Sequence, residues 1–209
     1  MMLNAPPRRP ASGRTRPGPH RALALVICLA VGTTGCQAVS TTTPGPPVEA
    51  GDRVGPGGPS EADGRLPHGA TVLDEDLAGI VNLDPDLASA LRQATADAAD
   101  AGIEIQVSSG WRSAAYQNHL LEEAVDTYGS EAEAARWVAA PGTSLHVTGE
   151  AVDIAPYDAI DWLSRFGAPY GLCQVYANES WHFELRPDAV ANGCPAQYPD
   201  PTHDPRMPQ

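Results

Sequence analysis

The chain has 209 residues and a formal net charge of −13, with 13 arginines, no lysine and 26 acidic residues. So acidic a composition excludes nucleic acid as a partner, because phosphate binding needs clustered cations. Hydrophobic residues make up 42% of the chain, which fits one core with accessory segments rather than two full domains.

Within the first 21 residues lie five arginines (Arg8, Arg9, Arg14, Arg16, Arg21) and no acid; an apolar run, ALALVICLAVG, follows over residues 22–32. A basic start, a short apolar stretch and small residues after it describe an export signal over residues 1–35. The apolar run is too short for a spanning helix, which needs about 20 residues. Gly35-Cys36 resembles the lipobox of bacterial lipoproteins, whose cysteine becomes the lipidated first residue. Thr33 stands where that motif prefers leucine, and residues 36–38 can also be read as an ordinary cleavage site. A lipid anchor at Cys36 is the preferred reading. On either reading the protein works in the cell envelope, held to the outer face of the cytoplasmic membrane or secreted. Loss of residues 1–35 removes five positive charges and no negative ones, taking the charge from −13 to −18.

Residues 36–69 are rich in Pro, Gly, Ser and Thr and bury no face, so they are expected to be a flexible spacer. The folded domain is expected over 70–195. Asp84-Pro85 opens a helix, Leu87, Leu91, Ala94 and Ala98 recur at helical spacing, and Gly102 stops it. Ile103, Ile105 and Val107 alternate as in a strand that ends at the turn SSGWR, residues 108–112. Ser113 caps a second helix to about Tyr128, and Ser130 with Glu133 forms a capping box for a third, with Trp137 on its inner face. A short strand over 150–154, a helix over 158–166 and strands over 171–176 and 181–185 follow. Residues 196–209, rich in Pro and Asp, are expected to be an extended or disordered tail. This order predicts an α+β domain. Cys173 and Cys194 are expected to pair, because an exported chain meets an oxidising compartment; closing a loop of about twenty residues is worth on the order of 3 kcal/mol.

Outside the export signal there are five histidines. His68 falls in the spacer and His203 in the tail, where solvation accounts for them; His119 lies within a helix and reads as surface or satisfied core. His146 and His182 are different, because each ends a turn beside a predicted strand with carboxylates near. Residues three apart on a regular strand face opposite ways, so Glu179 and His182 converge only if residues 178–180 form a turn. The inferred site is His146, Asp153 and His182 on one zinc ion, three protein ligands and an open position, as in catalytic rather than structural zinc sites. Glu179 is the candidate base and Arg112 the candidate partner of a developing oxyanion. Trp181 reads as a core anchor beside the site, Glu184 as a support or solvated residue, and Gly149 as a backbone requirement of its turn.

Three motifs carry a family resemblance. SLHVTGEAVD, residues 144–153, matches the SxHxxGxAxD pattern of the VanY-type zinc D-alanyl-D-alanine carboxypeptidases and their dipeptidase relatives. ESWH, residues 179–182, matches their ExWH pattern, and SGWRS, residues 109–113, with Gln117 following, is similar to their SGYRSxxxQ segment with Trp111 in place of tyrosine. The similarity covers residues from about 70 to 186. It implies a Hedgehog/DD-peptidase-like α+β fold, with helices packed on a small antiparallel sheet. It further implies zinc on His146, Asp153 and His182, a catalytic base at Glu179 and transition-state stabilisation by Arg112. Ser144 would hold the substrate's terminal carboxylate, and Gln117 would assist substrate binding.

The expected function is removal of the terminal D-alanine from peptidoglycan stem peptides by a monomeric enzyme with one zinc per chain. The alternatives are a D-Ala-D-Ala dipeptidase or stem-peptide endopeptidase of the same superfamily, or a non-catalytic wall-binding lipoprotein. No GxSxG or SxxK motif suggests a serine nucleophile.

Overall fold

Four antiparallel strands, Gln106–Ser109, Ala151–Ala155, His182–Leu185 and Leu172–Gln174 in spatial order, make a small sheet, with helices packed on it. The computed structural model describes residue 55 and residues 57–207, so the expected export signal, Cys36 and most of the spacer lie outside the described residues. In chain order the helices and strands begin with α1 (Ala78–Val81), α2 (Pro85–Asp100), β1 (Gln106–Ser109), α3 (Ala114–Tyr128) and α4 (Glu131–Ala134). There follow α5 (Leu145–Thr148), β2 (Ala151–Ala155), α6 (Tyr157–Phe166), β3 (Leu172–Gln174), β4 (His182–Leu185) and α7 (Ala189–Asn192). Among the described residues no helix is long and apolar enough to cross a membrane.

The two long helices follow from their caps and periodicity. Asp84 accepts the N–H groups of Asp86 and Leu87 with Pro85 at the first helical position, and Ser113 accepts that of Tyr116. Leu87, Leu91, Ala94 and Ala98 form the buried stripe of α2. They share one core with Val107, Val152, Ile154, Ile160, Leu163, Leu172 and Phe183. Strand alternation then decides the other face. With Val152, Ile154 and Phe183 turned into the core, Asp153, His182 and Glu184 must project on the side away from it.

Four boundaries differ from the sequence expectation. Residues 60–63, expected in the spacer, form a helical turn, because Ser60 and Asp63 make a capping box that the surrounding glycines and prolines disguise. Asp63 also accepts the Ser113 N–H at 2.8 Å and the Ser113 hydroxyl at 3.2 Å. The first strand starts at Gln106 rather than Ile103. The third helix makes one turn only: the Arg136 carbonyl accepts from Asn178 at 2.7 Å, and Trp137 is 37% exposed and stacks on Tyr128 instead of facing inward.

The fourth difference concerns the expected tail, which is partly buried against the domain. Tyr198 bridges Tyr176, and Asp200, Pro201, Asp204 and Met207 are buried. Polar anchors replace the apolar periodicity that a sequence reading looks for: Asp200 accepts from Arg136 at 3.0 Å, from the Thr202 N–H at 3.0 Å and from His203 at 2.9 Å. Cys173 and Cys194 are disulfide-bonded, with Cα atoms 5.6 Å apart, and so tie this region to β3.

Two stability predictions follow from these contacts. Leu91 has no solvent exposure, so Leu91→Ala is expected to lose about 2–5 kcal/mol in a denaturant titration. Burial works to raise the Asp200 carboxyl, but hydrogen bonds from Thr202, His203 and Arg136 outweigh it and hold it below the ordinary range. A depressed folded-state value gives stability that is present above the unfolded pKa, about 3.9, and is lost as pH falls toward the folded one. Asp200→Asn is therefore expected to lower the thermal midpoint clearly at pH 6 and progressively less below pH 4.

Candidate metal centre

β2 and β4 are the central strands, and their register sets Asp153 directly opposite His182. Directly opposed side chains stand on one face about 5 Å apart, so two of the candidate ligands meet by sheet geometry alone. His146 arrives from α5, a single turn between Ser144 and Gly149. Gly149 has φ 79°, and a Cβ there would stand 2.3 Å from the Asn82 carbonyl oxygen, so only glycine lets this turn close against α1 and α2. The turn is also laced to the loop after β1. The His146 Nδ1–H donates to the Gly110 carbonyl at 2.8 Å, the Arg112 N–H to the His146 carbonyl at 3.0 Å, and the Trp111 indole to the Val147 carbonyl at 3.1 Å.

Three lone pairs converge. His146 Nε2 lies 3.3 Å from His182 Nδ1 and 3.4 Å from Asp153 Oδ1, and His182 Nδ1 lies 3.3 Å from Asp153 Oδ1. Donor atoms on a tetrahedral zinc at 2.0–2.1 Å stand about 3.3–3.4 Å from one another, which is the triangle seen. The opposite ring nitrogens are already engaged, His146 Nδ1 by Gly110 and His182 Nε2 by Glu184 at 3.3 Å, so the inward nitrogens are the ones left to bind. Two imidazoles and a carboxylate, all buried, suit zinc. Glu179 stands beside them: Oε2 is 3.9 Å from His182 Nδ1, and Oε1 is a buried oxygen with no hydrogen-bond partner among the described residues. The residues present therefore fit a zinc ion and a neighbouring base.

Burial lowers the His146 imidazole, and the Arg112 charge lowers it further. Burial also opposes a charged His182, but hydrogen bonds to Asp153 and Glu184 outweigh it and push that ring up to about 9. Asp153 is held well below the carboxylate range because contacts with His146, His182 and Arg112 overcome its desolvation. Glu179 moves the other way. Burial, helped by the Asp153 and Asp200 charges, pushes it up to about 7 against the pull of His182 and Arg112.

The remaining sequence-predicted residues line the same cavity, of about 230 Å³, together with the three candidate ligands and Glu179. Arg112 donates to Asp153 Oδ2 at 2.6 Å, to Gln117 Oε1 at 3.0 Å and to Ser109 Oγ at 2.7 Å. Three of its five N–H groups thus hold protein atoms, and two are left for a ligand. Gln117 is buried, and both ends of its amide are engaged, by Arg112 and by the Ala139 carbonyl at 2.8 Å. Gln117 thus braces Arg112 at the cavity wall. Ser144 is buried at the cavity wall. Trp181 packs on the main core, while His119 pairs with Glu123 and is not part of the cluster. Sequence reasoning left Glu184 undecided and missed the Gly110 carbonyl. The two-residue alternation from His182 signals Glu184, whereas no side-chain pattern signals a backbone carbonyl.

An α+β fold that gathers two imidazoles and a carboxylate, with a buried glutamate beside them, has the layout of a metallohydrolase. The chain belongs to the VanY family, D-alanyl-D-alanine carboxypeptidase, whose model matches residues 81–188, over half of its length. It is 30% identical over 128 residues to a D-alanyl-D-alanine carboxypeptidase of Enterococcus faecalis (strain ATCC 700802 / V583), across 49% of this chain and 46% of that protein. The chain thus spans about half the length of this curated relative. Among solved structures it is similar to a vancomycin-resistance D,D-pentapeptidase VanY variant with Zn(II), at 27% identity and TM-score 0.47, over 49% of this chain and 72% of that one. It is likewise similar to VanYB in complex with D-alanine-D-alanine, at 26% identity and TM-score 0.49, over 53% and 74%.

Removing one corner of the triangle should be visible in binding. His146→Ala is expected to weaken Zn2+ by more than the roughly 10–100-fold that loss of an outer partner costs, in competition against a chromophoric chelator. Equal affinity in the variant would show that the ion binds elsewhere.

Proposed function

We propose that this protein is a zinc-dependent D-alanyl-D-alanine carboxypeptidase that hydrolyses the terminal peptide bond of peptidoglycan stem peptides and releases D-alanine. The observation that carries the reading is the triangle of His146 Nε2, Asp153 Oδ1 and His182 Nδ1 at 3.3–3.4 Å with the buried Glu179 carboxylate beside it. Membership of the carboxypeptidase family supports the substrate class. One zinc on these three residues, in a monomer at the outer face of the cytoplasmic membrane and lipid-anchored through Cys36, completes the proposal.

When bound, zinc supplies Lewis acidity toward a carbonyl oxygen and lowers the pKa of water. The protein's own groups do the rest. Glu179 accepts the proton of the attacking water and returns it to the leaving amine, so no covalent acyl-enzyme forms. Burial raises this carboxyl, and a cation on the neighbouring ligands draws it back toward the ionised form that a resting base needs. Arg112 directs its two remaining N–H groups at the developing negative charge while Asp153 and Gln117 fix its plane. Ser144, at the cavity wall, receives the substrate's terminal carboxylate.

The test is D-alanine release from a synthetic pentapeptide ending in D-Ala-D-Ala, with and without chelator. Release that stops with chelator and returns with Zn2+ is the expected result. Glu179→Gln is expected to lose about 10²–10⁴-fold in kcat while still binding zinc. Cleavage of free D-Ala-D-Ala but not of the pentapeptide would replace this reading by a dipeptidase, and full activity in Glu179→Gln would remove Glu179 from the mechanism.

A further inference from the structure

Residues 198–207 lie beyond the part of the chain that the family model matches, yet they reach the metal centre. Tyr198 joins the chain after β3 through two backbone hydrogen bonds of 2.9 Å, to Val175 and Ala177. Pro201 and Met207 then line the cavity that holds the candidate ligands. Between them Arg206 forks onto Glu184, with Nη1 2.8 Å from Oε2 and Nη2 3.3 Å from Oε1. The same Oε1 accepts the His182 Nε2–H at 3.3 Å. Arg206 is itself held by Asp204, with Nε 2.9 Å from Oδ1 and a second contact from Nη2 to Oδ2. Asp204 Oδ2 also accepts the Tyr176 hydroxyl at 3.1 Å, and the Tyr176 ring lies 5.0 Å from that of His182. The strap therefore touches the His182 imidazole along two routes, by hydrogen bonds through Glu184 and by ring contact through Tyr176.

Glu184 has 1% exposure, and a carboxylate so deeply buried can rotate unless both oxygens are fixed. Arg186 reaches only Oε2, at 2.8 Å. Arg206 alone engages both oxygens among the described residues, and a guanidinium fork defines the carboxylate plane where a point charge does not. That plane decides where Oε1 sits, and Oε1 sets the tautomer and tilt of the ring whose other nitrogen faces Asp153 and His146.

We propose that Arg206 is a positioning residue of the metal centre: by clamping both oxygens of Glu184 it orients His182, so that the strap of residues 198–207 sets how tightly the ion is held. The proposal rests on the zinc reading of the His146, Asp153 and His182 site and adds to it a residue from outside the family-matched region.

The experiment measures, in the full chain, Zn2+ affinity by chelator competition, the visible d–d spectrum of the Co2+-loaded protein, and kcat and KM on the pentapeptide. Arg206→Met is expected to weaken zinc about 10–100-fold, to alter the cobalt spectrum and to lower kcat with KM within about twofold. Arg206→Lys restores charge without the fork, and so recovers zinc affinity only in part. Glu184→Gln, which keeps an acceptor for His182 but loses the charge that Arg206 grips, should give a loss of the same order. It stands as the deciding variant if Arg206→Met does not fold. The double variant should be no weaker than Glu184→Gln alone. Unchanged zinc affinity and cobalt spectrum in Arg206→Met or in Glu184→Gln, or losses that simply add, would overturn the proposal while leaving the zinc reading intact. A wild-type chain that binds no zinc would overturn both.

Discussion

Three lone pairs held 3.3–3.4 Å apart inside a protein are the constraint on which this molecule turns. Stripped of protons, as cation binding requires, donor atoms at that spacing repel, so each has to be fixed from behind by something other than its neighbours. His146 is fixed by the Gly110 carbonyl, His182 by Glu184, and Asp153 by Arg112 through Oδ2. Such preorganisation lets a cation bind without first ordering its ligands, and the protein supplies that ordering in folding.

The apolar core does half of this work. Packing α2 and α6 against the sheet turns Val152, Ile154 and Phe183 inward, and strand alternation then leaves Asp153, His182 and Glu184 on the opposite face. A one-residue slip between β2 and β4 would send the ligands into the hydrocarbon and the hydrophobes into the cavity, so the core specifies the register of the site. The glycines do the other half. A Cβ on Gly149 would stand 2.3 Å from the Asn82 carbonyl oxygen and one on Gly110 2.1 Å from that of Gly79, so the His146 turn and the loop after β1 both seat against α1 and the residue that follows it.

Those two halves differ in how far a sequence discloses them. The periodicities of α2 and β4 were legible because burial repeats at 3.6 and 2 residues, and the turn at residues 178–180 followed from the need for Glu179 and His182 to face one point. The α+β class was legible from the order of helices and strands, and the grouping of His146, Asp153 and His182 from their placement at turns beside strands and the resemblance of their motifs. The segment before Ala70 and the strap after Asn192 were not, because they fold on polar anchors. Ser60 with Asp63, Asp200 with Arg136, and Arg206 with Glu184 show no period, and their partners stand far off in sequence. Gln117 shows a subtler limit. Its place near the site could be read from its motif, but that its amide spans Arg112 and the Ala139 carbonyl is announced by no pattern.

Two glutamates flank His182 in sequence, and their environments shift them in opposite directions. Both are buried, and burial by itself raises both. Glu184 meets the His182 ring and two arginines, which overcome that penalty and hold it down at about 2. Among the described residues Glu179 has no arginine in hydrogen-bond contact and one oxygen without a partner, and it is pushed up to about 7. A carboxylate fixed in its charged form can orient a ring but cannot exchange a proton near neutrality, whereas one poised by desolvation can do so. The contrast comes from the His182 hydrogen bond and the two arginine contacts, which Glu184 makes and Glu179 does not. The strap supplies one of those arginines, so a part of the chain outside the family-matched region helps keep Glu184 charged beside the candidate metal site.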